Sequence, residues 1–385
     1  MALAHSPSIA LNDLSFYFDS NNTQKSWRGK PTTNLITNFN LITHGDGLST
    51  INNTYSLVSP NGTSGWSSIT NSGATSNYRV AQFPYITLTS GTTYTASIEL
   101  YNPNSQGLSV FMDGNAGLAP TNIPQGYSRW THTFTATANW IENIFFGTFN
   151  NISAVTYSPS RTVFFKNPQI EVGSVASPFV NGTRPNNQSL FDLTRNNTIT
   201  ANSLTYASDG TFSFNGTTDY AQCTNNCNLT GSITLTAWVK NFYSGSGPHK
   251  TVICTDISFA NGVKLMNYKN DHRWGLWLGF GATNFEAFTN VNINDNTNKM
   301  LTGSWNRATG VVKLYLNGVL TATINTGQTG QISLSGGQIT LGAEYHSLGN
   351  NGFGGNIYSA AIYNRVLSDT EVYNLFLANR TRYGL

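Results

Sequence analysis

Apolar and polar positions alternate with a period of two along most of this chain. In residues 232–240 the apolar side chains Ile233, Leu235, Ala237 and Val239 fall on one face of an extended segment, which predicts a strand buried on that side. The same reading predicts strands over residues 13–20, 88–100, 127–135 and 163–172. Residues 311–320 read as a hairpin around Asn317-Gly318, because both residues tolerate the positive φ of a tight hairpin turn. Near the end, residues 354–367 alternate as a closing strand, and Ser368-Asp369-Thr370-Glu371 follows. That tetrad is a capping box: the Ser368 hydroxyl accepts from the Glu371 N–H while the Glu371 carboxylate reaches back to the Ser368 N–H. The pattern predicts an all-β protein with one short terminal helix.

Composition sharpens this picture. Charged residues make up 10% of the chain and hydrophobic residues 39%, with 12% aromatic, against a usual charged share of about 25%. Such a chain is neither disordered nor a helical bundle. Its 385 residues leave room for two sandwich domains, each with its own core. The net charge is +3, with Lys and Arg scattered singly, so the cation cluster that nucleic-acid binding requires is missing. No run approaches the roughly twenty apolar residues of a membrane span. Residues 1–7 have neither the basic region nor the apolar core of a secretion signal. The three cysteines do not make a disulfide framework; Cys223 and Cys227 are close enough in sequence for a small loop disulfide, and free thiols are the expected state. Asn-Gly-Thr triplets at Asn61, Asn181 and Asn215 are read as tight hairpin turns joining strands, with glycan acceptors as the other reading.

Several segments resemble known families. Phe214-Asn215-Gly216-Thr217-Thr218-Asp219-Tyr220 is similar to an F-x-G-x-x-D-Y strand-turn, Leu314-Tyr315-Leu316-Asn317-Gly318 to an L-Y-x-N-G hairpin, and the closing strand with its capped helix to the end of a laminin-G-like, concanavalin-type jelly roll. Residues 13–22 resemble the opening strand of that same fold, and residues 189–196 its next element. Between them, Gln169-Ile170-Glu171-Val172-Gly173-Ser174-Val175-Ala176-Ser177-Pro178-Phe179 resembles the exit of carbohydrate-binding-module-like sandwiches found in phage structural proteins. The resemblances imply two β-sandwiches: a discontinuous jelly roll of residues 1–32 and 185–385, and a second sandwich of residues 33–184 inserted into it. Insertion at a loop is tolerated because the ends of a domain commonly lie close together.

The chemistry on offer is sparse. Glycoside hydrolysis normally needs two carboxylates about 5 to 10 Å apart. The six glutamates, Glu99, Glu142, Glu171, Glu286, Glu344 and Glu371, stand singly, so no catalytic residue is assigned and the chain reads as non-enzymatic. Asp271, Arg273 and Trp277 form the densest polar and aromatic cluster. It reads either as a sugar-stacking platform or as a turn followed by a core-facing strand, with Trp274 and Trp277 on opposite faces. Tyr345 and His346 lie in the loop before the closing strand, and Trp66, Tyr78 and Arg79 are candidate groove residues of the inserted sandwich. Calcium needs six to eight converging oxygens; no D-x-D loop is present, and no cofactor is assigned.

The tandem of sandwiches resembles virion structural proteins of tailed, notably marine, bacteriophages. That resemblance implies a capsid decoration or tail-fibre adhesin, assembled in the host cytoplasm and displayed on the particle surface. It also implies other virion proteins as partners, a symmetric assembly such as a trimer, and host glycans as ligands. The alternative is a free secreted or cell-surface lectin.

Overall fold

The computed structural model describes residues 9–23, 25–37, 39, 42–43, 49–55, 66–71, 81–82, 86–103, 109–112, 121–137, 139, 141–142, 144–147, 161–206, 212–225, 227, 229, 231–241, 249–255, 261–268, 272–293, 295–333, 337–345, 348 and 351–385. The chain divides into two compact units. One contains Met1–Lys30, Pro185–Ala207 and Thr211–Leu385; the other contains Pro31–Arg184 and Ser208–Gly210.

The first unit is a jelly roll of two eight-stranded sheets. In one sheet the closing strand Gly354–Tyr363 lies between Ile233–Asn241 on one side and both Leu14–Asp19 and Phe212–Asn215 on the other. Asn298–Asn306, Val311–Leu316 and Val319–Asn325 continue that sheet. The opposite sheet runs through Leu190–Phe191, Thr198–Asn202, Tyr220–Cys223, Thr340–Leu341, His249–Cys254, Asn261–Tyr268, Arg273–Phe280 and Asn284–Asn292. Between them Phe16, Phe18, Leu235, Leu265, Trp274, Leu276 and Trp305 form the core, each no more than 0% exposed. The alternation 233, 235, 237, 239 points inward, while Trp238 points out, onto the terminal helix Asp369–Asn379. This helix keeps its capping box and buries Val372 and Leu375 against Trp238, Met300 and Tyr363.

Asn317 and Gly318 take φ of 51° and 79°, the paired positive angles of a tight hairpin turn. The other described Asn-Gly pairs do not behave this way. Asn215-Gly216 carries the chain from one sheet to the other: Phe212–Asn215 pairs with the closing strand, whereas Tyr220–Cys223 pairs with Thr198–Asn202. The Asn215 side chain holds this crossing by accepting from the N–H groups of Thr217 and Thr218 at 2.9 Å each. Asn181-Gly182 likewise leads into Thr183–Arg184, whose partner is Thr32–Thr33. Turn chemistry was legible at both places, but a hairpin also needs its two flanks to pair. Asn61 lies outside the described residues. The three cysteines are free, with Cys223 and Cys254 buried and Cys227 half-buried; burial pushes the Cys227 thiol up to about 12.

The second unit contains two five-stranded antiparallel sheets. The one with the longer strands orders Gly126–Thr135, Thr93–Asn102, Arg161–Val172, Trp66–Asn71 and Ser49–Tyr55. Its inner face contributes Ala96, Ile98, Leu100, Trp130, Val163 and Phe165 to a separate core. Among the described residues no helix is long and apolar enough to cross a membrane.

Candidate functional site

Each unit presents the outer face of one sheet, and strand parity decides what stands on it. In the second unit Phe164 lies directly opposite Tyr101, and Tyr101 directly opposite Tyr127. Residues facing each other across neighbouring strands share a face, so three aromatic side chains form a row turned away from the core. Tyr101 and Tyr127 approach to 4.7 Å between ring centroids, Tyr101 and Phe164 to 6.0 Å. Tyr127 is 48% exposed, and Tyr101 and Phe164 are half-buried. Trp66 reaches the same face beside Tyr127, 5.9 Å away, and is itself buried. The Lys166 ammonium sits 4.5 Å from the Trp66 ring centre and 3.2 Å from Glu99 Oε2. Asn167 donates to Glu99 Oε1 at 2.8 Å.

The other end of this face is closed by the 173–180 segment. Glu171, fully buried, accepts from the Ser177 N–H at 2.7 Å, the Ser177 hydroxyl at 2.9 Å and the Gln169 amide at 2.8 Å. Arg129 donates to the Ser177 carbonyl at 2.5 Å, and Arg184 to the Pro178 carbonyl at 2.8 Å. The Q-x-E-x-G-x-x-A-S-P-F pattern is thus a carboxylate-centred clasp that folds the exit segment over half of the sheet. The aromatic row occupies the half left open.

In the jelly roll the outer face of the sheet carrying Asn261–Tyr268 and Arg273–Phe280 holds a buried ion pair. Lys264 Nζ lies 2.9 Å from Glu344 Oε1 and 4.4 Å from the centre of the Trp277 ring. Asn351 donates to Glu344 Oε2 at 2.9 Å, and its carbonyl accepts from the Thr251 N–H. Gly342 begins this excursion with φ of 80°, and an added Cβ would stand 2.2 Å from the Phe214 ring, so a larger residue cannot turn the chain there. Beyond the ion pair, His249, Tyr268 and Phe288 stack edge to face at 5.2 and 5.5 Å, and Arg273 lies 5.8 Å from the Phe288 centroid. Burial lowers the His249 imidazole below its usual pKa, with Glu344 and Glu286 pulling the other way.

The structure places Arg273, Trp277 and the half-buried Tyr345 in the jelly-roll unit, and Trp66 in the other unit. Trp274 is in the core and Trp277 is on the opposite face, yet Trp277 is only 3% exposed because Lys264 covers its ring. Tyr78, Arg79, Asp271 and His346 lie outside the described residues. Sequence reasoning missed Tyr101, Tyr127 and Phe164. Their signal was an aromatic at the outward parity of strands whose inward parity is apolar. Among the described residues no group of three His, Cys, Asp or Glu side chains converges as a metal site.

Residues 215–373 match the family described as the concanavalin A-like lectin/glucanase superfamily. No curated protein sequence matches the chain. Among solved structures, domain 4 of an extracellular arabinanase from Geobacillus stearothermophilus, in complex with arabinotriose, is 19% identical, covering 48% of this chain and 91% of that one, with a TM-score of 0.39. A carbohydrate-binding module of the Ruminococcus gnavus sialidase, bound to sialyllactose, is 19% identical over 38% of this chain and 84% of its own, with a TM-score of 0.34. The binding domain of botulinum neurotoxin serotype D is 16% identical over 50% of this chain, which spans about half of that structure (49%), at a TM-score of 0.38. The sheets, the core between them and the matched residues together make the jelly-roll unit a concanavalin A-like, lectin-type fold.

Proposed function

We propose that this chain is a non-catalytic glycan-binding protein and that the Tyr101, Tyr127 and Phe164 row is its contact face. The observation that carries the reading is the pairing of these three side chains across adjacent outward positions, with Tyr127 48% exposed. Aromatic faces provide broad apolar area with fixed geometry, which suits the C–H face of a sugar ring. Lys166, Glu99 and Asn167 stand beside the row as hydrogen-bonding groups for hydroxyls. A non-catalytic role is favoured by the state of Glu344, whose carboxylate is committed to Lys264 and Asn351, and by the single spacing of the remaining glutamates along the chain.

The finer reading is display on the surface of a tailed-phage particle, held there by other virion proteins in a symmetric assembly such as a trimer. The resemblance of residues 169–179 to the exit of phage-protein sandwiches supports it. Many copies on one particle would convert weak single contacts into firm attachment. Glycan-array binding by the full chain tests the first reading: binding should fall at least tenfold in Tyr101→Ala/Tyr127→Ala, with no reducing ends released. Unchanged binding in that variant would overturn it. Mass spectrometry of purified particles tests the second, which fails if the chain is absent from them.

A further inference from the structure

We infer that a groove in the jelly-roll unit, between the strand Leu14–Asp19 and residues 191–195, is a second binding site, and that it takes an acidic saccharide. The groove has a volume of about 730 Å³, within the 300 to 1,000 Å³ range typical of ligand pockets. Its apolar lining includes Leu11, Leu14, Tyr17 and Phe191, and its polar lining includes Lys25, Arg28 and Arg195. Leu11 is 70% exposed and Phe191 39%, so the apolar part is open to a ligand.

Three features set the ligand's charge. First, among the described residues none of Lys25, Arg28 and Arg195 forms an ion pair; the guanidinium of Arg28 instead lies 5.8 Å from the Phe191 ring centre. Second, the lining holds three cations against one carboxylate, and that carboxylate is buried. Asp192 is 4% exposed, and its oxygens accept from the Tyr17 N–H at 3.1 Å, the Thr194 N–H at 3.0 Å and hydroxyl at 2.7 Å, and the Asn197 amide at 2.8 Å. Third, Arg195 has φ of 64°, in the left-handed region that glycine occupies without cost and side chains with a Cβ do not. A strained residue in an exposed position points to a role outside folding. Here the strained residue brings a third cation to a groove that already holds two.

A pyranose bearing a carboxylate matches both halves of the groove. Its C–H face fits against Phe191 and Leu14, and its acid group meets the cations. This site is separate from the aromatic row and stands or falls apart from it. Titration calorimetry of the full chain at low salt, with an oligogalacturonate, a neutral galacto-oligosaccharide of equal length and an oligoglutamate, tests the inference. The oligogalacturonate should bind at least tenfold more tightly than the neutral sugar, and less tightly as salt rises. Arg195→Gly should weaken that binding fivefold or more while the melting temperature holds or rises, since the strain is relieved; Lys25→Ala should weaken it too. Tyr127→Ala should leave the preference for the acidic over the neutral sugar, and its salt dependence, in place. Equal binding of oligoglutamate, no preference over the neutral sugar, or full affinity in Arg195→Gly would each overturn the inference. Loss of acidic-sugar binding in Tyr127→Ala but not in Arg195→Gly would assign it to the aromatic row instead. Acidic-sugar binding lost only in Arg195→Gly, with no neutral glycan bound, would sink the aromatic-row reading and leave this one standing.

Discussion

Arg382 Nη1 lies 2.6 Å from Asp19 Oδ2, so an ion pair ties the last turn of the chain to its first strand across 363 positions of sequence. Asp19 is 6% exposed at its side chain and Arg382 43%. Removing the guanidinium leaves a buried carboxylate without its cation, while the exposure of Arg382 keeps the loss below that of a fully buried pair. Arg382→Ala should therefore cost the jelly roll about 1 to 2 kcal/mol. A denaturation double-mutant cycle with Asp19→Asn checks this. A coupling energy near zero would show that the contact holds nothing.

The terminal helix should loosen in acid. Arg365 grips Glu371 through two nitrogens at 2.6 and 2.9 Å, and the same carboxylate accepts from the Ser368 N–H at 2.8 Å. The guanidinium, with the cap, holds the Glu371 carboxyl down at about 2 against an ordinary 4.5. A depressed carboxylate contributes stability above its unfolded pKa and loses it as pH falls toward the folded one. The contribution should be complete above about pH 5 and fade between about pH 4.5 and 2. Because a third of the Glu371 side chain is open to solvent, screening keeps the effect small. Comparing melting temperatures over that range, Glu371→Gln should start lower and slope less; parallel curves would refute the assignment.

Much of this architecture was legible in the chain, and the misses share a cause. Period-two alternation is local, so the inward set 233, 235, 237 and 239, the strand containing Phe16 and Phe18, the Asn317-Gly318 hairpin and the Ser368 cap could all be read from neighbours in sequence. Asn215-Gly216 misled because the same dipeptide serves a hairpin or a crossing between sheets, and only distant pairing separates the two. The aromatic row was hidden for a similar reason. Tyr101, Tyr127 and Phe164 come from three strands, and their register depends on a bulge between Lys166 and Gln169 that no local pattern announces. Trp277 stood at the parity of an exposed platform, but Lys264, thirteen places earlier on the neighbouring strand, covers it.

The Lys264 and Glu344 pair should behave as a buried unit. Both side chains are almost fully enclosed, 3% and 0% exposed. Glu344→Ala or Lys264→Ala alone strands a charge and should cost about 3 to 5 kcal/mol, whereas Lys264→Met with Glu344→Leu removes both charges and should cost much less. Chemical denaturation of the three variants checks the ordering. A double variant as damaged as the singles would mean that packing, and not charge burial, sets the loss.

The Glu171 clasp makes a sharper test, because its partners distinguish hydrogen bonding from charge. The Ser177 N–H and the Gln169 amide both donate to Oε1, and the Ser177 hydroxyl, a group able to reverse its role and accept, donates to Oε2. A glutamine can keep its carbonyl at the Oε1 position and donate from its amide to Ser177, so Glu171→Gln should preserve these three contacts and lose the strengthening that ionisation gives them, about 1 kcal/mol. Glu171→Ala takes the acceptor from the Ser177 N–H, and such a buried group costs about 1 to 3 kcal/mol; the Ser177 hydroxyl and the Gln169 amide keep their longer contacts, to the Pro178 carbonyl at 3.3 Å and the Ser177 carbonyl at 3.4 Å. Hydrogen exchange should then show the Ser177 amide protected in the wild type and in Glu171→Gln, and open in Glu171→Ala. Equal protection in all three would mean that the segment is held by Arg129 and Arg184, whose bonds run to the carbonyls of Ser177 and Pro178, and that the conspicuous carboxylate of the exit pattern is dispensable.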